Sequence, residues 1–179
     1  MLVVLTNHGS LNYFSILGAI FINLFAYDLV FVLTALALNL LLAVIFVARR
    51  NGWVKTARVI GVLWLLLSVP LAFVFVRYLS DGMGLETMVP FTLILLYILV
   101  EFLLDVMFKV DFRRKRTTHV PYIVLEYIAL FSLIWMAFGI GQTWGYLVSI
   151  TFGILLASLI YMYGDKIRIR KQHSLGVSQ

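Results

Sequence analysis

The chain contains no cysteine. Disulfides, thiolate nucleophiles and cysteine-held zinc or iron–sulfur centres are thereby excluded, and cysteine usage says nothing about the redox compartment. Charge is also scarce. Asp, Glu, Lys and Arg make up 12% of the 179 residues, against about a quarter in an ordinary soluble domain. The three histidines, His8, His119 and His173, form no mid-helix pair that would hold a haem. No G-x-S-x-G, H-E-x-x-H, phosphate-binding glycine loop or dinucleotide fingerprint occurs, so no motif names an enzyme.

What fills the chain is apolar. It is 63% hydrophobic with a mean hydropathy of +1.05. A soluble domain of this size leaves a large part of its surface in water and has nowhere to hide so much carbon. Lipid is the solvent that accommodates it. The formal charge of +6 does not point to nucleic acid, because the basic residues stand in short blocks between apolar segments, as in membrane proteins that face an anionic leaflet. Met1 to Ser10 has no Lys or Arg and no small-residue cleavage pattern, so no removable signal peptide is expected there.

Five apolar runs are long enough to cross a hydrocarbon core of about 30 Å as helices: residues 28–48, 57–78, 87–108, 120–140 and 144–163. None alternates as a barrel strand would. The expected fold is all-α, a polytopic transmembrane bundle in a single integral membrane domain over 1–179. Residues 11–26 are apolar but short, and read as a sixth crossing or as a re-entrant or interfacial helix. The crossing is preferred, with Asp28 capping a helix that begins at Leu29 and Ser15, Gly18 and Asn23 as a small-and-polar packing stripe. Pro70 is expected to kink its helix. Pro90 and Pro121 are expected in first turns, where the missing N–H costs nothing. Gly153 and Ala157 suggest close helix packing.

Orientation follows from Lys and Arg. Loop 49–58 holds four of them, loop 109–119 five (Lys109, Arg113, Arg114, Lys115, Arg116) and the basic tail 164–179 four, so 13 of the 14 fall on one side of five alternating crossings. The positive-inside rule makes that side cytoplasmic. The expected location is the cell membrane, with the C-terminus in the cytoplasm. Trp53 and Trp144 fit the inner and outer aromatic belts, and Tyr161 and Tyr163 read as interfacial anchors.

Acidic groups inside a bilayer are costly and often functional. Glu101, Asp105 and Glu126 qualify. Glu101 and Asp105 are four apart, hence on one face of an α-helix. The two helices form an antiparallel hairpin whose facing residues sum to about 227, which sets Glu101 level with Glu126 and Asp105 with Tyr122. Two close carboxylates in low dielectric cannot both ionise cheaply, so one holds a proton, and such a pair relays protons or binds a cation. The competing reading is structural, with the acids balancing Arg58, Lys109 or Arg113. His119 adds a nitrogen to this set as a candidate metal ligand. Asn39 reads as a hydrogen bond between helices or a pore-lining group. Ser68, Ser132, Ser149, Thr151 and Ser158 can bond their own backbone. Arg113 to Arg116 set topology and can bind anionic headgroups.

Three functions follow as expectations: a small transporter or channel, or a subunit of one, with a proton or cation site near the cytoplasmic side; a non-catalytic protein binding anionic lipid or a partner, including a second copy; and an intramembrane enzyme using the carboxylate and His119 cluster. No cofactor and no nucleic acid is called for.

Overall fold

The computed structural model describes residues 8–107 and 116–174, with side chains described between 26 and 164 except at 105, 106 and 108–119. Six α-helices follow in order: α1 (His8–Arg50), α2 (Val54–Leu66), α3 (Ser68–Ser80), α4 (Leu85–Glu101), α5 (Arg116–Ile140) and α6 (Gln142–Ser174). A π-helical stretch, Phe102–Met107, continues α4 directly. Among the described residues there is no strand. Among the described residues, five spans are long and apolar enough to cross a membrane: Ala26–Arg50, Val54–Ser80 formed by α2 and α3 together, Leu85–Leu104, Val120–Ile140 and Gln142–Gly164. The protein is an all-α, multi-pass membrane bundle.

The first helix differs from expectation. It runs for 43 residues, about 65 Å at 1.5 Å per residue, and passes Asp28 without a break. Residues 11–26 therefore prolong the first crossing and do not fold back as a sixth. No helix starts there, so the cap expected of Asp28 has no free N–H groups to satisfy, and its carboxylate accepts a hydrogen bond from the Tyr78 hydroxyl. The side chains of Ser15, Gly18 and Asn23 lie outside the described residues.

Two of the turns between crossings use one device. Gly52 (φ 75°) follows α1 and Gly82 (φ 69°) follows α3. At the first, Trp53 N–H donates to Ala48 O (2.9 Å) and Gly52 N–H to Arg49 O (3.3 Å). At the second, Met83 N–H donates to Tyr78 O (3.1 Å) and Gly82 N–H to Leu79 O (3.2 Å). Both are Schellman closures, which need a left-handed residue that glycine supplies without a Cβ penalty. The α5–α6 turn is shorter still, with Gly141 alone between the helices.

The prolines act differently. Pro70 interrupts its crossing, as expected: α2 ends at Leu66, and Leu67 N–H bonds back to Trp64 O (3.2 Å) before α3 begins. Pro90 and Pro121 lie beyond the first turns predicted for them. Each is the sixth residue of its helix, because α4 starts at Leu85 and α5 at Arg116. Each leaves the carbonyl four residues earlier without its usual donor.

Helix α1 is the hub. It packs against α6, α2 and α3 and touches α5, while α4 packs on α5 and α3. Of its apolar window 56% is buried, against 17–33% in the other four spans. Phe31, Val32 and Ala35 are fully enclosed. The outer helices turn Leu66, Phe73, Trp135, Ile150 and similar side chains outward, as a lipid-facing surface requires. Gly153 and Ala157 also face outward, and a Cβ on Gly153 would meet nothing within 4 Å. They do not form the close helix contact their spacing suggested.

Candidate functional site

A cavity of about 660 Å³ opens at the end of the bundle that carries the basic loops, where α1 and α6 finish and α2 and α5 begin. Its upper part is charged: Arg49 from α1, Arg58 from α2, Glu101 from α4 and Glu126 from α5 all line it. The arginines are exposed and the glutamates half-buried. Its lower part is carbon, lined by Leu42, Leu65, Leu130 and Leu155. These residues lie about 12–17 Å from the basic ends of their membrane spans at 1.5 Å per residue, close to the middle of a core of about 30 Å.

The structure thus brings Glu101 and Glu126 to one cavity. The Tyr122 hydroxyl, one turn nearer the basic loop than Glu126, donates to Glu101 Oε2. The Tyr97 hydroxyl stands 3.4 Å from that of Tyr122. A phenol has one proton to give, and Tyr122 gives its proton to Glu101, so Tyr97 is the donor in this second contact. The result is a directed chain, Tyr97 to Tyr122 to Glu101, across the α4–α5 interface. Trp64 extends it: its ring meets Tyr97 edge-on at 5.8 Å, and its Nε1–H donates to Leu38 O at 3.2 Å. That bond pins α2 to α1 beside the cavity.

The other expected site residues divide. The α-helical spacing that placed Asp105 on the face of Glu101 stops at Glu101, since the chain from Phe102 to Met107 is π-helical. A turn closed by i→i+5 bonds holds more residues than an α turn. The side chains of Asp105, His119 and Arg116, and residues Arg113, Arg114 and Lys115, lie outside the described residues. Among the described residues no three His, Asp or Glu side chains gather as a metal site would require.

Asn39 lies at mid-membrane, fully buried between α1 and α6. Its Nδ2 donates to Thr151 Oγ1 (3.1 Å) and Val148 O (3.4 Å), while Oδ1 has no partner. Thr151 itself donates to Val148 O at 2.8 Å, so its oxygen is free to accept from Asn39. Ser132, Ser149 and Ser158 bond their own helices, as expected. Near the basic end of the bundle Arg50 donates to Tyr161 O and stacks 3.6 Å from that ring, tying α1 to α6.

Sequence reasoning missed a second polar cluster at the opposite end. Tyr78 on α3 donates to Asp28 on α1, and Arg77 lies 4.9 Å over the ring of Tyr27. Between this cluster and the cavity floor sits an aromatic layer in which Phe91 meets Phe31, Phe75 and Tyr78 at 5.3–5.9 Å. The cavity is therefore one-sided. No protein-family model, curated protein or solved structure matches the chain, so its function has to be argued from this geometry.

Proposed function

We propose that the protein is a small transporter or channel, or a subunit of one, with a proton or cation site formed by Glu101 and Glu126. The basic end is cytoplasmic, and the membrane is the cell membrane. The C-terminus lies on the cytoplasmic side, and with five crossings the N-terminus lies on the other. The observation that carries the reading is the shared cavity: two half-buried carboxylates from neighbouring helices line one space, and a tyrosine chain donates to one of them. Carboxylates at that depth are costly unless they hold protons or cations. The one-sided opening and the aromatic layer beyond it are what an access path closed on one side requires. Charge distribution supports the orientation, with 13 of 14 basic residues on the cavity side.

The test is flux in liposomes reconstituted with the full chain. Glu101→Gln and Glu126→Gln are each expected to abolish a proton- or cation-dependent flux while the protein keeps its helical content and its elution position in detergent. Absence of flux in the intact protein, or undiminished flux in both variants, would overturn the reading.

A further inference from the structure

We infer that α2 is the gate of the cavity: a short rod, hinged where it meets α3 and latched by Trp64, whose swing on that hinge opens the space beside it to water. This deepens the reading of the cavity as a transport site and rests on it for the purpose of the gate, while the motion itself is testable without flux.

The first argument is the unequal seating of the two halves of one crossing. Helices α2 and α3 have 13 residues each. Helix α3 buries Leu71, Val74 and Tyr78 almost completely, and Tyr78 bonds it to Asp28. Helix α2 lies along α1 and fully buries Ala57 and Trp64 alone. Val59, Leu63 and Leu66 on the same helix are 49–61% exposed, toward lipid chains that yield to movement. Segments with few buried apolar contacts are those that open at low cost.

The second argument is the joint. Between the halves the helical ladder is broken. Leu67 N–H bonds only three residues back, to Trp64 O at 3.2 Å, and Leu71 N–H stands 3.4 Å from Leu67 O. Pro70 has no N–H to offer the Leu66 carbonyl. The other end of α2 follows the turn at Gly52 (φ 75°), so the rod is separated from regular helix at both ends. Proline breaks and element ends are where rigid pieces of a protein pivot.

The third argument is the wall and its latch. Helix α2 supplies Val54, Arg58, Gly61 and Val62 to the cavity lining, and its outer face is exposed, so the thickness of one helix closes the cavity on this side. Trp64 is its one deep anchor of any size. It is 4% exposed, its Nε1–H donates to Leu38 O on α1 at 3.2 Å, and its ring meets Tyr97 of α4 edge-on at 5.8 Å. Releasing that tie frees the rod, and straightening the joint holds it.

The chain has no cysteine, so a single introduced thiol reports alone. Leu130→Cys puts it on the cavity floor, on α5. Val74→Cys puts it in the core on α3, outside the cavity lining. The experiment exposes the purified full chain in detergent to a charged, water-soluble methanethiosulfonate and measures the labelling rate. Trp64→Phe keeps a ring and loses the donor. It is expected to speed labelling at position 130 about two- to tenfold, the change in an opening equilibrium that the net worth of one hydrogen bond gives, and to leave position 74 unchanged. Pro70→Ala returns a donor to the Leu66 carbonyl and is expected to slow labelling at position 130 by a similar factor. Equal acceleration at both positions, or a rate at position 130 indifferent to both variants, overturns the inference. If Trp64→Phe fails to fold, Pro70→Ala decides it. Carboxylate-dependent flux with labelling indifferent to both variants rejects the gate and leaves the transport reading standing. Labelling that follows the latch and the joint, in a protein with no flux, supports the gate and rejects transport.

Discussion

Asn39 offers a sharp test of how the bundle is held. Its Nδ2 makes two contacts to α6, at 3.1 and 3.4 Å, while its Oδ1 is buried with no partner. A hydrogen bond between helices in a bilayer stabilises by about 0.6 kcal/mol on average and about 1.7 at most. An unsatisfied buried acceptor costs about 1–3 kcal/mol. Asn39→Leu removes both terms at nearly constant volume. It is expected to shift stability by less than about 1.5 kcal/mol, in either direction. Asn39→Asp deletes both donors and keeps the orphaned acceptor, so it is expected to cost about 2 kcal/mol or more. The assay is unfolding of the purified protein by titration with sodium dodecyl sulfate, followed by circular dichroism, with liposome flux measured in parallel. Flux is expected to survive Asn39→Leu. A loss beyond about 2 kcal/mol in the leucine variant would refute the reasoning, because Oδ1 would then have to hold a partner such as ordered water. Loss of flux in a stable leucine variant would make Asn39 a pore residue and not a brace.

Three further outcomes are expected. At the α5–α6 hairpin a Cβ on Gly145 would fall 2.3–2.6 Å from ring atoms of Phe138, so Gly145→Ala should cost about 1–3 kcal/mol by overpacking. Adding Phe138→Ala should recover part of that loss in a double-mutant cycle. Tyr78→Phe removes the donor that ties α3 to the Asp28 carboxylate and should cost about 1.5–3 kcal/mol in the same titration; no change would mean that Asp28 is solvated. A reporter fused after Gln179 should be active in the cytoplasm, and one inserted at Gly82 should be active on the opposite side.

The spans were legible because lipid demands long unbroken apolar runs. Where the limits of a span fall within the described residues, observed and expected positions agree within three residues. Pro70 was legible because a missing N–H acts locally. Asp28 was not, since a carboxylate that caps a helix and one that receives a phenol from another helix look alike in a linear string. The choice between them was made by Tyr78, 50 residues away. Glu101 and Glu126 stood out as charges in apolar runs. The tyrosines that lead to Glu101, Tyr97 and Tyr122, did not, because tyrosine is unremarkable in a membrane helix. The face shared by Glu101 and Asp105 was read from α-helical spacing, and the π-helical stretch after Glu101 changes the residues per turn there. Gly153 and Ala157 misled because small residues show only that close packing is allowed, not that a neighbour is present.

The central position of α1 has a consequence for how the protein is made. The helix most enclosed in the bundle leaves the ribosome before the helices that enclose it, and Asn39 finds its partners 109 and 112 residues later, on α6. Until α6 arrives, a polar amide waits in lipid with nothing to bond. Assembly is therefore contingent on completion, and a chain cut short before α6 presents Asn39 and the apolar stripe around it as a mark of incompleteness. A membrane protease or chaperone that recognises polar groups in lipid would find that mark on every unfinished copy and on no finished one.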